Sequence, residues 1–184
     1  GRLIVTEKEA GTLRIVKQNG ELSKPITGLP AVNSKGQGGL LGITLDPNFE
    51  QNRMIYWAFS EEVSGGTHTS VAKGKLSADE SKIEGATIIY RATPAYRGNL
   101  HYGGRVIFDK DGNLFVSTGE RSDLATRPQA QSLNSGLGKI MRITTDGKPV
   151  AGNPFMGQAG ARPELYSYGH RNVQGLTFNP VNGE

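Results

Sequence analysis

Five polar residues in the sequence have the types and positions needed to move a proton or bind an anion. His101 lies in Gly98-Asn-Leu-His-Tyr-Gly-Gly-Arg105, and an imidazole that titrates near neutral pH suits proton abstraction. Glu120 follows the next β-rich run, and a carboxylate there could orient the imidazole if a hairpin joins the two runs. The alternatives are a structural histidine and a surface glutamate paired with Arg121.

The other three residues are Arg171, Asn172 and Gln37. Arg171 and Asn172 are adjacent, and a guanidinium beside an amide suits a planar, oxygen-rich anion. Gln37 lies in a glycine-rich segment, but no Gly-Lys-Ser/Thr follows, so a phosphate-binding P-loop is rejected. An ordinary loop arginine and ordinary turn glycines remain the alternatives.

Two further patterns are interpreted as structural. Asp109-Lys-Asp-Gly-Asn113 has a faint likeness to a calcium loop, but it lacks the downstream glutamate of an EF-hand, so a hairpin turn is predicted. His68 is interpreted as a loop residue and His170 as a residue at the rim of the site.

The elements that must position these residues are short β-strands separated by turns. The runs are rich in Val, Ile, Thr, Tyr and Phe, and sustained helical periodicity is lacking. Around 123–135, Pro128 limits any helix to about one turn. The predicted strands are Leu3–Glu7, Thr12–Val16, Leu40–Leu45, Ile55–Ser60, Ser70–Leu76, Thr87–Arg91, Gly104–Phe108, Leu114–Thr118, Lys139–Thr144, Glu164–Tyr168 and Gly175–Phe178.

A weak internal repeat organises these strands. Units that begin at Gly39, Gly104 and Gly175 each combine a glycine, an apolar strand and an Asp/Asn turn, and in the first two a second strand follows. The spacing is longer than that of compact WD40 blades and favours four-stranded propeller blades with long loops. Residues 1–184 are therefore interpreted as an all-β partial propeller of about three blades, truncated at both ends. Pairing of two copies as a homodimer is an alternative.

Composition and charge exclude several classes. Hydrophobic residues make up 35% and charged residues 21%, and the mean hydropathy of -0.43 is typical of a soluble globular protein. The net charge is +4, but the Lys and Arg residues are scattered, so neither nucleic-acid binding nor membrane insertion is expected. The absence of cysteine excludes disulfides and thiolate metal sites.

Several motifs, taken together and in this order, resemble the soluble PQQ-dependent sugar dehydrogenases of the glucose/sorbosone dehydrogenase family. The bacterial aldose sugar dehydrogenases look closest, and the resemblance covers almost the whole chain. The pair His-x-Gly-Gly-Arg and Tyr-Gly-His-Arg-Asn is its most specific part. The motifs are Gly36-Gln-Gly-Gly-Leu-Leu-Gly, Asp46-Pro-Asn-Phe, His101-Tyr-Gly-Gly-Arg, Thr118-Gly-Glu and Ser167-Tyr-Gly-His-Arg-Asn.

The resemblance implies a six-bladed propeller that oxidises an aldose at the anomeric carbon by hydride transfer to pyrroloquinoline quinone (PQQ). It makes His101 the general base, Glu120 its orienting carboxylate, and Arg171 with Asn172 the contacts of the PQQ carbonyl region. Arg171 would also stabilise developing negative charge, and Gln37 would line the mouth of the site. The calcium ligands are expected beyond the end of this chain, and a periplasmic or secreted location is implied.

Two other functions stay open at this stage. The first is a non-catalytic binding propeller similar to the related domain of hedgehog-interacting proteins. The second is a calcium-dependent lactonase on a six-bladed propeller, which needs a cluster of Asp, Asn and Glu ligands instead of the histidine, arginine and amides seen here. PQQ binding and PQQ-independent lactone hydrolysis separate these alternatives from the sugar dehydrogenase.

Overall fold

The architecture is almost entirely β-structure in a computed structural model that describes residues 1–179 and 181. Helix is limited in these residues to one turn of α-helix, α1 (Phe49–Asn52), and a 3-10 helix, Arg127–Gln131. None of the helices in the described residues has the length and apolar character to span a bilayer. The strands are β1 (Leu3–Glu7), β2 (Thr12–Val16), β3 (Leu40–Leu45), β4 (Met54–Val63), β5 (Gly66–Leu76), β6 (Ile83–Arg91), β7 (Gly103–Phe108), β8 (Leu114–Thr118), β9 (Lys139–Ile143) and β10 (Leu165–Tyr168).

Two four-stranded antiparallel sheets and one two-stranded sheet contain these strands. The first four-stranded sheet has the order β3-β4-β5-β6, and the second runs from β7 to β10 in the same sequential manner. Strands β1 and β2 pair with each other, and two isolated bridges extend this small sheet. Sequential four-stranded sheets of this kind are the blades of a β-propeller, and they begin where the sequence repeat places them.

The alternating side chains of β4 show how neighbouring sheets pack together. Ile55, Trp57 and Phe59 belong to a core shared with β2 and β3, whereas Tyr56 and Ala58 belong to a core shared with β7, β8 and β9. Because successive strand residues point to opposite faces, one strand supplies both cores. These five residues are at most 3% exposed, so β4 lies in the middle of a stack of sheets.

The first strands of the two four-stranded sheets approach each other through glycine. Both β3 and β7 carry a register shift near their start. A Cβ atom at Gly42 would collide with the carbonyl oxygen of Gly104, so a larger residue would push β3 away from β7. This close approach brings together the segments that precede the two strands, which contain Gln37 and His101.

The strand predicted for Gly175–Phe178 is wrong, because this segment forms no strand pairing with any of the described residues. It is held beside the second sheet by other means. The Arg105 guanidinium donates to the Gln174 carbonyl at 3.2 Å, and Ser117 Oγ donates to the Val173 carbonyl at 2.7 Å. A ladder needs a neighbouring strand, and none of the described residues runs alongside to provide one.

The β4–β5 hairpin is longer than the sequence pattern indicates. Pairing continues from the predicted strands to Val63 opposite Gly66. The outer part of this hairpin is polar and includes Glu61, Glu62 and His68, so its composition is typical of a loop. Backbone pairing across the hairpin overrides that local preference.

Candidate active site

The hairpin of β7 and β8 positions the two residues of the predicted acid–base pair. His101 precedes β7 and Glu120 follows β8, while Gly103 lies opposite Thr118 in the antiparallel register. Between them, Gly119 lies so close to the backbone of His101 that a Cβ atom there would overlap the carbonyl group of His101. Because Gly119 has no side chain, the segment that carries His101 and the segment that carries Glu120 can come into contact.

His101 and Glu120 form a hydrogen-bonded pair. Glu120 Oε1 lies 2.5 Å from His101 Nδ1, and Glu120 Oε2 accepts the backbone N–H of Ser122 at 3.1 Å. The Glu120 side chain is 3% exposed and that of His101 is 16% exposed. A carboxylate only accepts, so Nδ1 carries the hydrogen, and Nε2 has no hydrogen-bond partner in the part of the chain that the structure describes.

Gln37 contacts the backbone of this pair from the neighbouring sheet. Its Oε1 accepts the N–H of His101 at 2.9 Å, and its own N–H donates to the Asn99 carbonyl at 2.8 Å. The segment before β3 is thereby joined to the segment before β7 by two hydrogen bonds. Gln37 is an exposed residue, and its side-chain nitrogen takes no part in these two hydrogen bonds.

Arg171 and Asn172 join the same cluster through their own backbone and side-chain oxygens. The N–H of Glu120 donates to the carbonyl of Arg171 at 2.9 Å. The N–H of Gly103 donates to Asn172 Oδ1 at 2.9 Å, and an isolated bridge pairs Gly119 with Asn172. All five candidate residues of the sequence are therefore brought together by direct contacts, although 135 positions separate Gln37 from Asn172 in numbering.

The unsatisfied groups of this cluster are mostly donors. The exposed Arg171 guanidinium and the side-chain nitrogens of Gln37 and Asn172 have no hydrogen-bond partner within residues 1–179 and 181, and neither does His101 Nε2. A neutral imidazole Nε2 accepts a proton, whereas a guanidinium and amide N–H groups favour carbonyl and carboxylate oxygens. The arrangement suits a base beside an oxygen-rich anionic molecule.

The alternative interpretation of Glu120, a surface pairing with Arg121, is wrong because Arg121 is buried. It does not pair with Glu120 at the surface: it is 2% exposed, and its guanidinium lies 3.9 Å from the ring centroid of Tyr102. Burial lowers the pKa of this guanidinium from its ordinary value. An apolar periodicity cannot reveal a charged residue that is buried by loop carbonyls, so the sequence carried no signal for it.

The turn between β7 and β8 is structural, as interpreted from the sequence. Asp109 Oδ1 accepts the N–H groups of Asp111 and Asn113 at 2.9 and 2.8 Å, and Oδ2 accepts Arg142 Nε at 2.8 Å. Burial opposes the charge of Asp109, but the Asn113 N–H and the Arg142 guanidinium outweigh it and lower the pKa. The carboxylate is fully engaged in holding the turn.

The other two histidines have structural contacts. The interpretation of His68 as a loop residue is wrong: it is a buried strand residue of β5, and its Nδ1 lies 3.0 Å from the Ala92 carbonyl oxygen. His170 Nε2 lies 2.8 Å from Ser167 Oγ. Burial, together with the nearby Lys139 ammonium, lowers the pKa of His170. The described residues contain no cluster of three or more His, Asp or Glu side chains arranged to hold a metal ion.

Comparison with known proteins adds independent information. The family model described as Glucose / Sorbosone dehydrogenase matches residues 1–184. The aldose sugar dehydrogenase YliI of Escherichia coli (strain K12) is 42% identical over 171 residues, covering 92% of this chain and 45% of the relative. The chain spans about half the length of the relatives it matches.

Solved structures also resemble the chain over nearly its whole length. A crystal structure of a glucose dehydrogenase is 43% identical with a TM-score of 0.91, covering 98% of this chain and 52% of that one. The PQQ-bound aldose sugar dehydrogenase of Streptomyces coelicolor is 33% identical with a TM-score of 0.82, covering 98% and 51%. These neighbours are β-propellers, so the predicted fold class is confirmed. The chain belongs to the glucose/sorbosone dehydrogenase family.

Proposed function

We propose that this chain forms one side of the active site of a PQQ-dependent aldose dehydrogenase, which oxidises the sugar at its anomeric carbon. The observation that carries the proposal is the His101–Glu120 pair, in which Nδ1 is held at 2.5 Å and Nε2 is left without a partner in the described chain. A histidine oriented by a carboxylate through one ring nitrogen acts as a base through the other.

In the proposed reaction, His101 Nε2 takes the proton of the anomeric hydroxyl. The hydrogen on the anomeric carbon leaves with its electron pair, so the sugar is oxidised to a lactone and the acceptor is reduced. PQQ, when bound, supplies the quinone that accepts this hydride. Glu120 keeps the Nδ1 hydrogen in place and stabilises the imidazolium that forms, as carboxylates do in other base–orienter pairs.

The donor set of the site fits PQQ, a planar molecule with carbonyl and carboxylate oxygens. Arg171 would hold it through the guanidinium, with Asn172 and Gln37 adding amide N–H groups. Asn172 and Gln37 are fixed by their side-chain oxygens on Gly103 and His101, which leaves each amide nitrogen for the ligand. The positive charge of Arg171 would also stabilise oxyanion character.

Three parts of the proposal go beyond the described residues. We propose that residues beyond 184 supply the calcium ligands and complete the six-bladed propeller. A periplasmic or secreted location and an aldose as the small-molecule partner are proposed by analogy with the family. We also propose that two copies of the chain pair as a homodimer, which a size measurement in solution tests.

The test uses the holoenzyme prepared with PQQ and calcium, an aldose and an artificial electron acceptor. We expect wild-type turnover, and we expect His101→Gln to lower kcat by about 10²- to 10⁴-fold because the base is lost. Calorimetry should show PQQ binding to both proteins. His68→Gln is the matched control, since the His68 ring bonds a backbone carbonyl, and its kcat should stay at the wild-type value.

Two results would contradict the proposal. Absence of PQQ binding by the wild-type protein would favour the non-catalytic propeller. Hydrolysis of a lactone without PQQ, at a rate that His101→Gln leaves unchanged, would favour the lactonase. If His101→Gln retained full aldose oxidation, PQQ dependence could stand but the assignment of the base would fail.

A further inference from the structure

Arg121 has an unusual environment for a charged side chain. Its Nε donates to the carbonyl of Leu100 at 3.1 Å, and the two terminal nitrogens donate to the carbonyl of Thr67 at 2.9 Å and to Thr67 Oγ1 at 2.8 Å. One of them also donates to the carbonyl of Gly98. All these partners are uncharged, and the salt bridges found among the described residues do not include Arg121.

Those acceptors belong to the segments that surround His101. Gly98 and Leu100 lie in the loop before β7, and Thr67 lies near the start of β5. The phenol of Tyr102 also donates to the Gly98 carbonyl at 3.1 Å, while its ring stacks on Arg121. One planar cation therefore connects the residues on both sides of His101 to the start of β5, an inner strand of the neighbouring sheet.

The backbone held in this way is strained. His101 has φ +49°, Arg121 has φ +71° and Ser122 has φ +66°. Residues other than glycine seldom adopt this left-handed conformation, which costs of order 1 kcal/mol or more per residue and persists only where surrounding contacts enforce it. One of these residues belongs to the hydrogen-bonded pair and the other two follow Glu120 directly, so the site needs a group that resists relaxation of the loop.

We propose that Arg121 is a positioning residue that fixes His101 in its base orientation by binding the carbonyl oxygens of the loop before β7. This role rests on the proposed function, in which His101 is the base. The N–H of Arg121 also lies 3.3 Å from the carbonyl oxygen of His101, so backbone and side chain act on the same segment. Arg121 itself contacts neither sugar nor cofactor in the proposal.

The chemistry of arginine explains why this residue type is needed. A guanidinium presents five N–H donors in one plane, and it can stack on an aromatic ring while its edge binds several oxygens. A lysine ammonium has three donors and no flat face. Arg121→Lys should therefore keep the charge but satisfy fewer of the carbonyl groups, and Arg121→Met should satisfy none.

The first experiment measures hydrogen exchange of individual amides by NMR in the chain without cofactor. The N–H groups of His101 and Gly103 are the reporters, because they donate to side chains of the site. We expect Arg121→Met to speed their exchange by roughly 10- to 100-fold, and Arg121→Lys to speed it less, while the amides of β4 are unchanged. Arg142→Met is the control, since Arg142 binds the turn at the other end of the hairpin.

The second experiment measures kcat and KM of the PQQ-loaded holoenzyme per folded, titrated site. A misplaced base should lower kcat by about 100-fold while KM changes little, and Arg121→Lys should recover part of the loss. Arg142→Met should keep the wild-type kcat. If Arg121→Met fails to fold, Arg121→Lys alone carries both measurements.

Two outcomes would overturn the proposal. Uniform acceleration of exchange over the whole chain, with wild-type kcat per folded site, would mean that Arg121 only stabilises the fold. Unchanged exchange at His101 and Gly103 would mean that the loop holds itself. Failure of the proposed function is distinguishable from both, because a wild-type protein without sugar oxidation would still show the local change in exchange.

Discussion

At both ends of the β7–β8 hairpin a carboxylate accepts hydrogen bonds, but the groups that it holds differ. At the turn, Asp109 accepts two backbone N–H groups and one guanidinium, and all its partners lie within the same sheet. At the other end, Glu120 accepts hydrogen bonds from one imidazole and one backbone N–H, and the second imidazole nitrogen has no partner among the described residues. One carboxylate completes a turn, whereas the other orients an imidazole.

The backbone conformation also differs between the two ends of the hairpin. The Asp109 turn reaches positive φ only at Gly112, where a glycine pays no steric penalty. The His101 end places non-glycine residues in that region and relies on Arg121 to hold them. Strain and unsatisfied groups are thus concentrated at the end where reaction is proposed, which is the usual place for them.

The largest effect that separates the two ends is expected from Glu120→Gln. A glutamine can present either an oxygen or an N–H to Nδ1, so the imidazole is no longer held in one tautomer, and kcat should fall by about 10²- to 10⁴-fold. Steady-state kinetics of the PQQ-loaded enzyme provide the measurement. A loss smaller than tenfold would show that Glu120 does not orient the base.

A steric change at the same end should have the next largest effect. Gly119→Ala adds a Cβ atom that overlaps the His101 backbone, so the two ends of the pair must separate. We expect a fall in kcat of about 100-fold, as for other displacements of about 1 Å. Gly112→Ala is the matched control at the turn, where a Cβ meets no neighbour and only the positive φ is disturbed, so kcat should stay unchanged.

The corresponding change at the turn should alter stability and leave catalysis intact. Asp109→Asn keeps an oxygen for the two backbone N–H groups but removes the charge that binds Arg142. The free energy of unfolding should drop by about 1 to 3 kcal/mol, because a charge-assisted hydrogen bond is lost. Urea unfolding and kcat measured on the same preparation test this. A drop in kcat per folded molecule would contradict the separation of the two ends.

The smallest effect is the acid dependence of that turn. The pKa of Asp109 is lowered in the fold, so its pairing stabilises the protein above the ordinary carboxyl pKa of about 4 and is lost as pH falls through the lower folded value. The difference in unfolding free energy between wild type and Asp109→Asn should therefore be constant near neutral pH and shrink below about pH 4. A difference that persists at pH 2 would show that charge is not its source.

The sequence predicted most of what depends on local pattern. Runs rich in Val, Ile, Thr, Tyr and Phe, separated by turns, located ten strands, and the expected hairpin placed His101 beside Glu120. It missed what depends on distant partners: residues 175–178 read as a strand, but pairing requires a neighbour that no local pattern guarantees. The polar tip of the β4–β5 hairpin was also missed, because Glu61 and Glu62 are strand residues only through pairing with His68 and Thr67 on β5.

Arg121 marks the limit of prediction within the site itself. Charged residues are seldom fully buried, so a pattern-based reading places an arginine beside Glu120 at the surface. Its burial is decided by carbonyl groups of Thr67, Gly98 and Leu100, which come from two other segments. Only the assembled fold shows that those oxygens converge on one guanidinium.

The tautomer of His101 can be measured by long-range ¹H–¹⁵N NMR at a pH where the ring is neutral. This measurement decides most directly whether Nε2 can act as the base. We predict a hydrogen on Nδ1 and a lone pair on Nε2 in the wild-type protein, and a mixture of tautomers in Glu120→Gln. A hydrogen found on Nε2 in the wild type would contradict this prediction, because the nitrogen assigned as the base could not then accept the proton of a sugar.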